Sequence, residues 1–272
     1  MNTDFPWHEE GLASPPPRRT VPRATLGSLP APVEAALWRA DQLADAVVEV
    51  VPTGFAELDA ELPGGGWPCR SITDLLQAQP AVLEWRLLAP ALRVVVAKGQ
   101  SVIVVSPPRD PHLPGLRHAG LDERHLVWIK ADAPAQRLWC TEQLIKSGAY
   151  GALLAWLPQA RPEQIRRLQV CAQASEGPVF LIRPAAAKQE ASAAPLRIAA
   201  TIGADWELRV QIVKRRGPVH EGTLVLPSIP GGLAAVLTPR NARPSRLISE
   251  VPADVVGGTA SSTTPRRHAP AH

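Results

Sequence analysis

Between residues 71 and 183, short unbroken apolar runs alternate with longer stretches whose apolar residues recur every three or four positions. Ser101 to Val105 reads SVIVV, Gly151 to Leu157 reads GALLAWL, and Val179 to Arg183 reads VFLIR. Continuous runs of this kind mark strands covered on both faces. Ser71 to Leu76 and Leu126 to Lys130 give two more strands. Residues 82–97 read as helix, with Pro90 expected to kink it or end its first part. Asp132 is expected to cap a helix that begins near Ala133-Pro134 and ends near Ser147-Gly148. Pro162 opens another, with Ile165, Leu168, Cys171 and Ala172 on one side.

Strands alternating with helices predict an α/β fold in which a mostly parallel sheet lies between helical layers. Upstream, Val33, Ala36, Leu37, Ala40, Leu43, Ala44, Val47 and Val48 keep helical spacing, and Pro32 suits the first turn. The segment Thr53 to Pro68 suits a short helix followed by a tight turn at Gly64 to Gly66. After residue 195 the pattern is strands alone: Leu196 to Thr201, Trp206 to Lys214 and Gly222 to Leu226. Trp206, Leu208, Val210 and Ile212 alternate and should share one face. These strands are expected to extend the sheet in antiparallel fashion. The domain plan is a flexible arm over 1–31, a core over 32–226, and a Pro/Gly/Ser-rich basic tail over 227–272, expected to be largely disordered.

Composition adds limits. A chain of 272 residues, 45% hydrophobic, can bury one sizeable core. A net charge of +4 permits contact with nucleic acid without demanding it. Cys69, Cys140 and Cys171 lie far apart with no metal-binding spacing, as expected of reduced thiols. The first residues lack the apolar centre of a signal peptide, and no apolar run approaches the ~20 residues that span a bilayer. A cytoplasmic protein without membrane contact is expected.

Three segments carry a resemblance. Thr53, Gly54, Leu58 and Asp59 form a TG-x-x-x-LD pattern ahead of Gly64 to Gly66. DAPAQRLWCTEQLIKSGAYGALLAW runs from Asp132 to Trp156, and LRVQIVKRRGP from Leu208 to Pro218. In this order they resemble the core of RecA recombinases over about residues 33–226. Within that superfamily LWRADQL (Leu37 to Leu43), ELPGGGWP (Glu61 to Pro68), LLAPAL (Leu87 to Leu92) and WLP (Trp156 to Pro158) are similar to ImuA, a RecA-related partner in a bacterial mutagenesis cassette. The resemblance implies a RecA-like, P-loop NTPase-type fold and a role in SOS-type error-prone translesion synthesis. It implies as partners an ImuB-type, Y-family-like polymerase protein and an error-prone replicative-type polymerase subunit, with RecA itself as a further candidate and DNA as an indirect contact. Some ImuA-like sequences have been labelled SulA-like. Inhibition of cell division is therefore the competing function, and single-stranded-DNA binding by a RecA-like protein a third.

The chemistry of a working phosphate loop is missing. Such a loop needs glycines whose amides wrap phosphate, a lysine, and a hydroxyl for Mg²⁺. Here Gln77 to Trp85 reads QAQPAVLEW. Aligned on the strand, Leu83 falls at the lysine position and Glu84 at the hydroxyl. A carboxylate there would repel triphosphate by about 1 to 4 kcal/mol at roughly 4 Å, and Pro80 removes an amide donor. Trp156 stands where the next strand should end in an acid. Where a catalytic glutamate belongs, the chain offers Ser106, Pro107 and Pro108. Gly64 to Gly66 precede a strand rather than joining one to a helix, so they form a turn and not a phosphate cradle. The expected protein is not an enzyme and has no cofactor or metal.

Function should then lie on surfaces. Residues 209–272 hold nine Lys/Arg against three Asp/Glu. Lys214, Arg215 and Arg216 close a strand, and Arg240, Arg243 and Arg246 recur between prolines. They read either as solvated charge or as a contact for DNA phosphates or an acidic partner groove. Leu37 and Trp38 are candidate interface residues, with packing on their own core as the alternative. Charge reversal at Lys214, Arg215 and Arg216 together is expected to weaken partner or DNA association; unchanged binding at modest salt would remove that surface from consideration.

Overall fold

The computed structural model describes residues 49–81, 83–229, 233–243 and 245. They all lie within the compact unit Ala44–His272. The expected arm over 1–31, the helix with Leu37 and Trp38, Arg246 and the end of the tail lie outside the described residues.

A small ribbon comes first: β1 (Val50–Val51) pairs antiparallel with β2 (Trp67–Pro68), and between them runs α1 (Ala56–Glu61). Strands of two residues carry no alternation, so the sequence pattern passes over them. The triple-glycine turn has a steric role here, because a Cβ on Gly66 would sit 2.5 Å from the carbonyl oxygen of Val51.

The main sheet has eight strands. In chain order the elements are β3 (Ile72–Gln77), α2 (Glu84–Ala97), β4 (Val102–Val105), α3 (Leu113–His118), β5 (Leu126–Ile129), α4 (Pro134–Ser147), β6 (Ala152–Trp156), α5 (Pro162–Ala172), β7 (Val179–Pro184), β8 (Leu196–Ile202), β9 (Glu207–Lys214), β10 (Leu224–Pro227) and α6 (Leu233–Val236). Across the sheet the order is β10-β9-β8-β3-β7-β6-β4-β5. Every pairing from β5 to β8 is parallel, whereas β9 and β10 add antiparallel pairings.

One expectation is corrected: β8 is parallel to β3, not the first antiparallel addition. Parallel neighbours need a crossover of about a dozen residues, and the stretch 185–195, with its short 3₁₀ turn Ala185–Gln189, supplies it. Its alanine-rich composition, without a regular apolar repeat, reads as plain loop.

Two cores form, one on each face of the sheet. Leu75, Val104, Leu154, Phe180 and Ile198 point to the face covered by α2, with Leu58 of α1 and Leu116 of α3. Ile72, Ile103, Leu153 and Leu181 point to the other face, under Ile145 of α4 and Ile165 and Leu168 of α5. Neighbours on one strand therefore enter different cores, which is why these strands read as unbroken apolar runs. On β9 only one face is covered. Leu208, Val210 and Ile212 are buried while Arg209 is exposed, so alternation survives in the sequence. Trp206 does not share that face; it sits in the turn before β9 with φ +65, its indole N–H donating to the Asn241 carbonyl at 3.3 Å.

Two further details bear on expectation. Of the two outcomes expected at Pro90, an end to the helix does not occur: α2 runs through it, with buried Leu87, Leu88, Leu92 and Val95 holding both halves against one face. The proline lies against Gly54, where a Cβ would come within 2.4 Å of the Pro90 Cβ. Asp132 does not cap α4: the N-cap residue is Ala133, with no side-chain cap, and Arg137 bonds the carbonyls of Ala131 and Asp132. The helix does end at left-handed Gly148, φ +62.

Beyond α5, the second face holds a buried ion network. Asp74 of β3 is fully buried, and its Oδ2 accepts from Arg197 Nε of β8 at 3.1 Å and from Arg183 Nη1 of β7 at 3.3 Å. Arg183 also donates to the Ala160 carbonyl, and Arg197 to those of Ala187 and Glu190. The network ties the crossover to the sheet. Arg183 keeps Glu190 at 2.5 Å, so Asp74→Ala would leave Arg197 as the buried guanidinium with no carboxylate partner among the described residues, and urea denaturation should show a loss of about 3–5 kcal/mol. A loss below about 1 kcal/mol would mean that the network behaves like a surface pair.

Candidate functional site

The loop between β3 and α2 is where the sequence places the lost phosphate grip, and its centre is a carboxylate. Glu84 is the first residue of α2 and has no solvent exposure. Its Oε1 accepts from Ala81 N at 2.6 Å and from the Trp156 indole Nε1 at 3.1 Å; its Oε2 accepts from Leu83 N at 3.1 Å. Among the described residues no Lys or Arg pairs with it. Three N–H donors and the positive end of a 14-residue helix hold the group instead.

The local geometry follows from the sequence. Ala81 sits at φ +65, which turns its amide inward toward the helix start. Leu83 belongs to the apolar core under α2 rather than facing the loop, so nothing occupies the lysine's role. Pro80 is exposed and has no N–H to offer. The helix N-terminus, ordinarily an anion site through its free amides, is filled from within the chain.

Trp156, at the end of β6, is 4% exposed and completes the arrangement. Sequence reasoning marked Glu84 and Trp156 separately as mismatches, each against a different motif. The structure brings them into contact, 72 positions apart in sequence. A replacement of one acid by an indole donor, paired with a gain of an acid elsewhere, is the only sequence signal of that contact.

Around this centre the carboxyl ends of the parallel strands form a crevice of about 550 Å³, lined by Gln77, Ser106, Lys130, Trp156 and Arg183 among others. In an α/β sheet such crevices are where ligands settle. Here Pro80, Pro107, Pro108, Pro158 and Pro184 also line it, which strips N–H donors from the loops after β3, β4, β6 and β7. Ser106, with φ +49, bridges β4 to the end of β5: its Oγ donates to the Ala131 carbonyl at 2.9 Å and accepts from Ala131 N at 3.0 Å. At the position expected to lack a catalytic acid, the residue closes a strand end.

The basic residues divide. Lys214 donates to the Ser192 carbonyl at 2.9 Å, and Arg215 pairs with Glu61 at 2.9 Å while bonding the Pro218 carbonyl. Among the described residues neither a hydrogen bond nor an ion pair engages Arg216. Arg240 and Arg243 are exposed beside Asn241, whose carbonyl is held by Trp206 at the start of β9. Lys214 ends the same strand, eight residues on, roughly 25 Å away. The two basic groups therefore do not form one patch. No cluster of three metal-ligating side chains occurs among the described residues, and no helix among them is long and apolar enough to cross a membrane.

No protein-family model matches the chain. Among curated proteins it is similar to the cell division inhibitor SulA of Edwardsiella piscicida, 26% identical over 117 residues, which cover 43% of this chain and 70% of that protein. It is 28% identical over 112 residues to SulA of Photorhabdus laumondii, covering 41% and 63%. With SulA of Pectobacterium atrosepticum the identity is 29% over 114 residues, covering 42% and 67%. The chain thus spans about two thirds of the length of these relatives, and more than half of it lies outside the similarity.

A double-mutant cycle on Glu84→Gln and Trp156→Phe measures the central contact. Each single change should cost about 1–3 kcal/mol in urea denaturation, with a coupling energy of about 1.5 kcal/mol or more for a hydrogen bond to a buried charge. Additive losses would show that the indole and carboxylate act independently.

Proposed function

We propose that this chain is a RecA-like protein of the ImuA type that has exchanged nucleotide chemistry for adaptor function, assembling with polymerase partners in SOS-type error-prone translesion synthesis. The observation that carries the reading is Glu84, whose buried carboxylate takes the amides of Ala81 and Leu83 that a phosphate would need. The parallel sheet, with its central β3 leading through that loop into α2 and antiparallel strands at the carboxyl end, supports a RecA-like core. A triphosphate approaching this loop would meet a negative charge, two engaged amides and a ring of prolines, so hydrolysis has no residue to start from. The partners that fit are an ImuB-type polymerase-like protein and an error-prone replicative-type polymerase subunit, with RecA as a third.

A second reading is favoured by the similarity to cell division inhibitors named SulA. Division inhibition is equally independent of a phosphate loop, so Glu84 does not separate the two.

Partner capture separates them. Purified full-length chain should retain a polymerase-like protein encoded beside its gene, bind no ATP with Mg²⁺ in equilibrium dialysis, and leave cell length normal when overproduced. Filamentous cells together with capture of the tubulin-like division protein would move the assignment to the second reading. DNA-stimulated phosphate release by the purified chain would overturn both.

A further inference from the structure

At the end of the sheet opposite the Glu84 loop, a second cavity of about 630 Å³ opens between the starts of β3 and β8 and the end of β9. Pro63, Pro68, Pro195 and Leu196 give it apolar walls, and exposed Gln173 stands at its rim. Cys69 adds a thiol, pushed up to about 11 by burial first and by Glu49 second, so it stays neutral at physiological pH and extends the apolar wall. Ser71, also in the lining, is 5% exposed, and its hydroxyl has no hydrogen-bond partner.

The charges around this cavity are unequal in their commitments. Arg215, one of the lining residues, is bound to Glu61 and the Pro218 carbonyl. Arg216 has no partner among the described residues, and Arg70 is 60% exposed with only a 4.0 Å approach to the equally exposed Glu49. Two available guanidiniums therefore stand at the mouth of an apolar cavity that has one orphan hydroxyl.

That combination narrows the occupant. A metabolite pocket gathers several convergent polar groups to fix its ligand, and here one buried hydroxyl is unengaged. A nucleic-acid surface spreads many cations along a backbone path, and here only Arg70 and Arg216 are available among the described lining residues, with Glu49 4.0 Å from Arg70. An apolar centre with an arginine rim is the anatomy of a protein interface. We infer that this cavity docks a linear acidic segment of a protein partner, with a leucine-, isoleucine- or aromatic-type side chain against Pro63, Pro68, Pro195 and Leu196 and flanking carboxylates on Arg70 and Arg216. The inference rests on the adaptor reading for the existence of a protein partner and adds where and by what chemistry that partner is gripped.

The test uses the full chain and a random peptide library displayed on phage. Selected peptides should carry Asp or Glu beside a large apolar residue. Their synthetic forms should lose about tenfold or more in affinity, roughly 1.4 kcal/mol, to the double variant Arg70→Glu, Arg216→Glu. Arg209→Glu, exposed on β9 and outside the lining, should bind as the unaltered chain does. Both altered arginines are exposed, and circular dichroism checks that the variant is folded. Peptides without acidic residues, enrichment equal on the double variant, or displacement by oligothymidylate would each overturn the proposal, the last in favour of a nucleic-acid surface. If the double variant still retains the polymerase-like neighbour at full strength, the cavity is refuted and the adaptor reading stands. If peptides bind as described while the neighbour does not, the adaptor reading fails and the cavity stands.

Discussion

A buried carboxylate with no cation beside it is costly unless hydrogen bonds replace its lost hydration. The arrangement around Glu84 is built on that constraint. The left-handed Ala81, the amides of Ala81 and Leu83, the start of α2 and the Trp156 indole converge on two oxygen atoms. Because the donors come from β6 as well as from the loop, the contact also ties two strands that are separated in the sheet by β7. The amino end of α2 is thereby made part of the core.

The same logic recurs at Asp74, on the opposite face. There a buried acid is balanced by Arg183 and Arg197, and those arginines reach on to carbonyls of the crossover. One acid is held by N–H dipoles and the other, through its Oδ2 alone, by full charges. In both cases a polar group inside the protein fixes a connection that apolar packing alone would leave free to slide. The strand-end loops around the Glu84 loop are rich in proline, so few backbone N–H groups face the crevice there.

The proposed adaptor and division-inhibitor readings both call for a surface that a partner can grip. Arg216 and Arg70 beside an apolar cavity are a defined surface of that kind, whereas Lys214 and Arg215 are held by internal bonds.

The sequence alone determined the strands from β3 to β10, helices α2, α4 and α5 among them, and which strands are buried on both faces; α3, six residues with a proline and a glycine, carries no periodicity and is passed over. Those features are local: they depend on periodicity along the chain or on which residue stands at one position. What only the tertiary structure decided is non-local. The meeting of Glu84 with Trp156, the parallel direction of β8, the continuity of α2 through Pro90 and the separation of free from engaged arginines all depend on contacts between residues distant in sequence. A side chain's partner is set by how the sheet is ordered, and no pattern along a single strand carries that information.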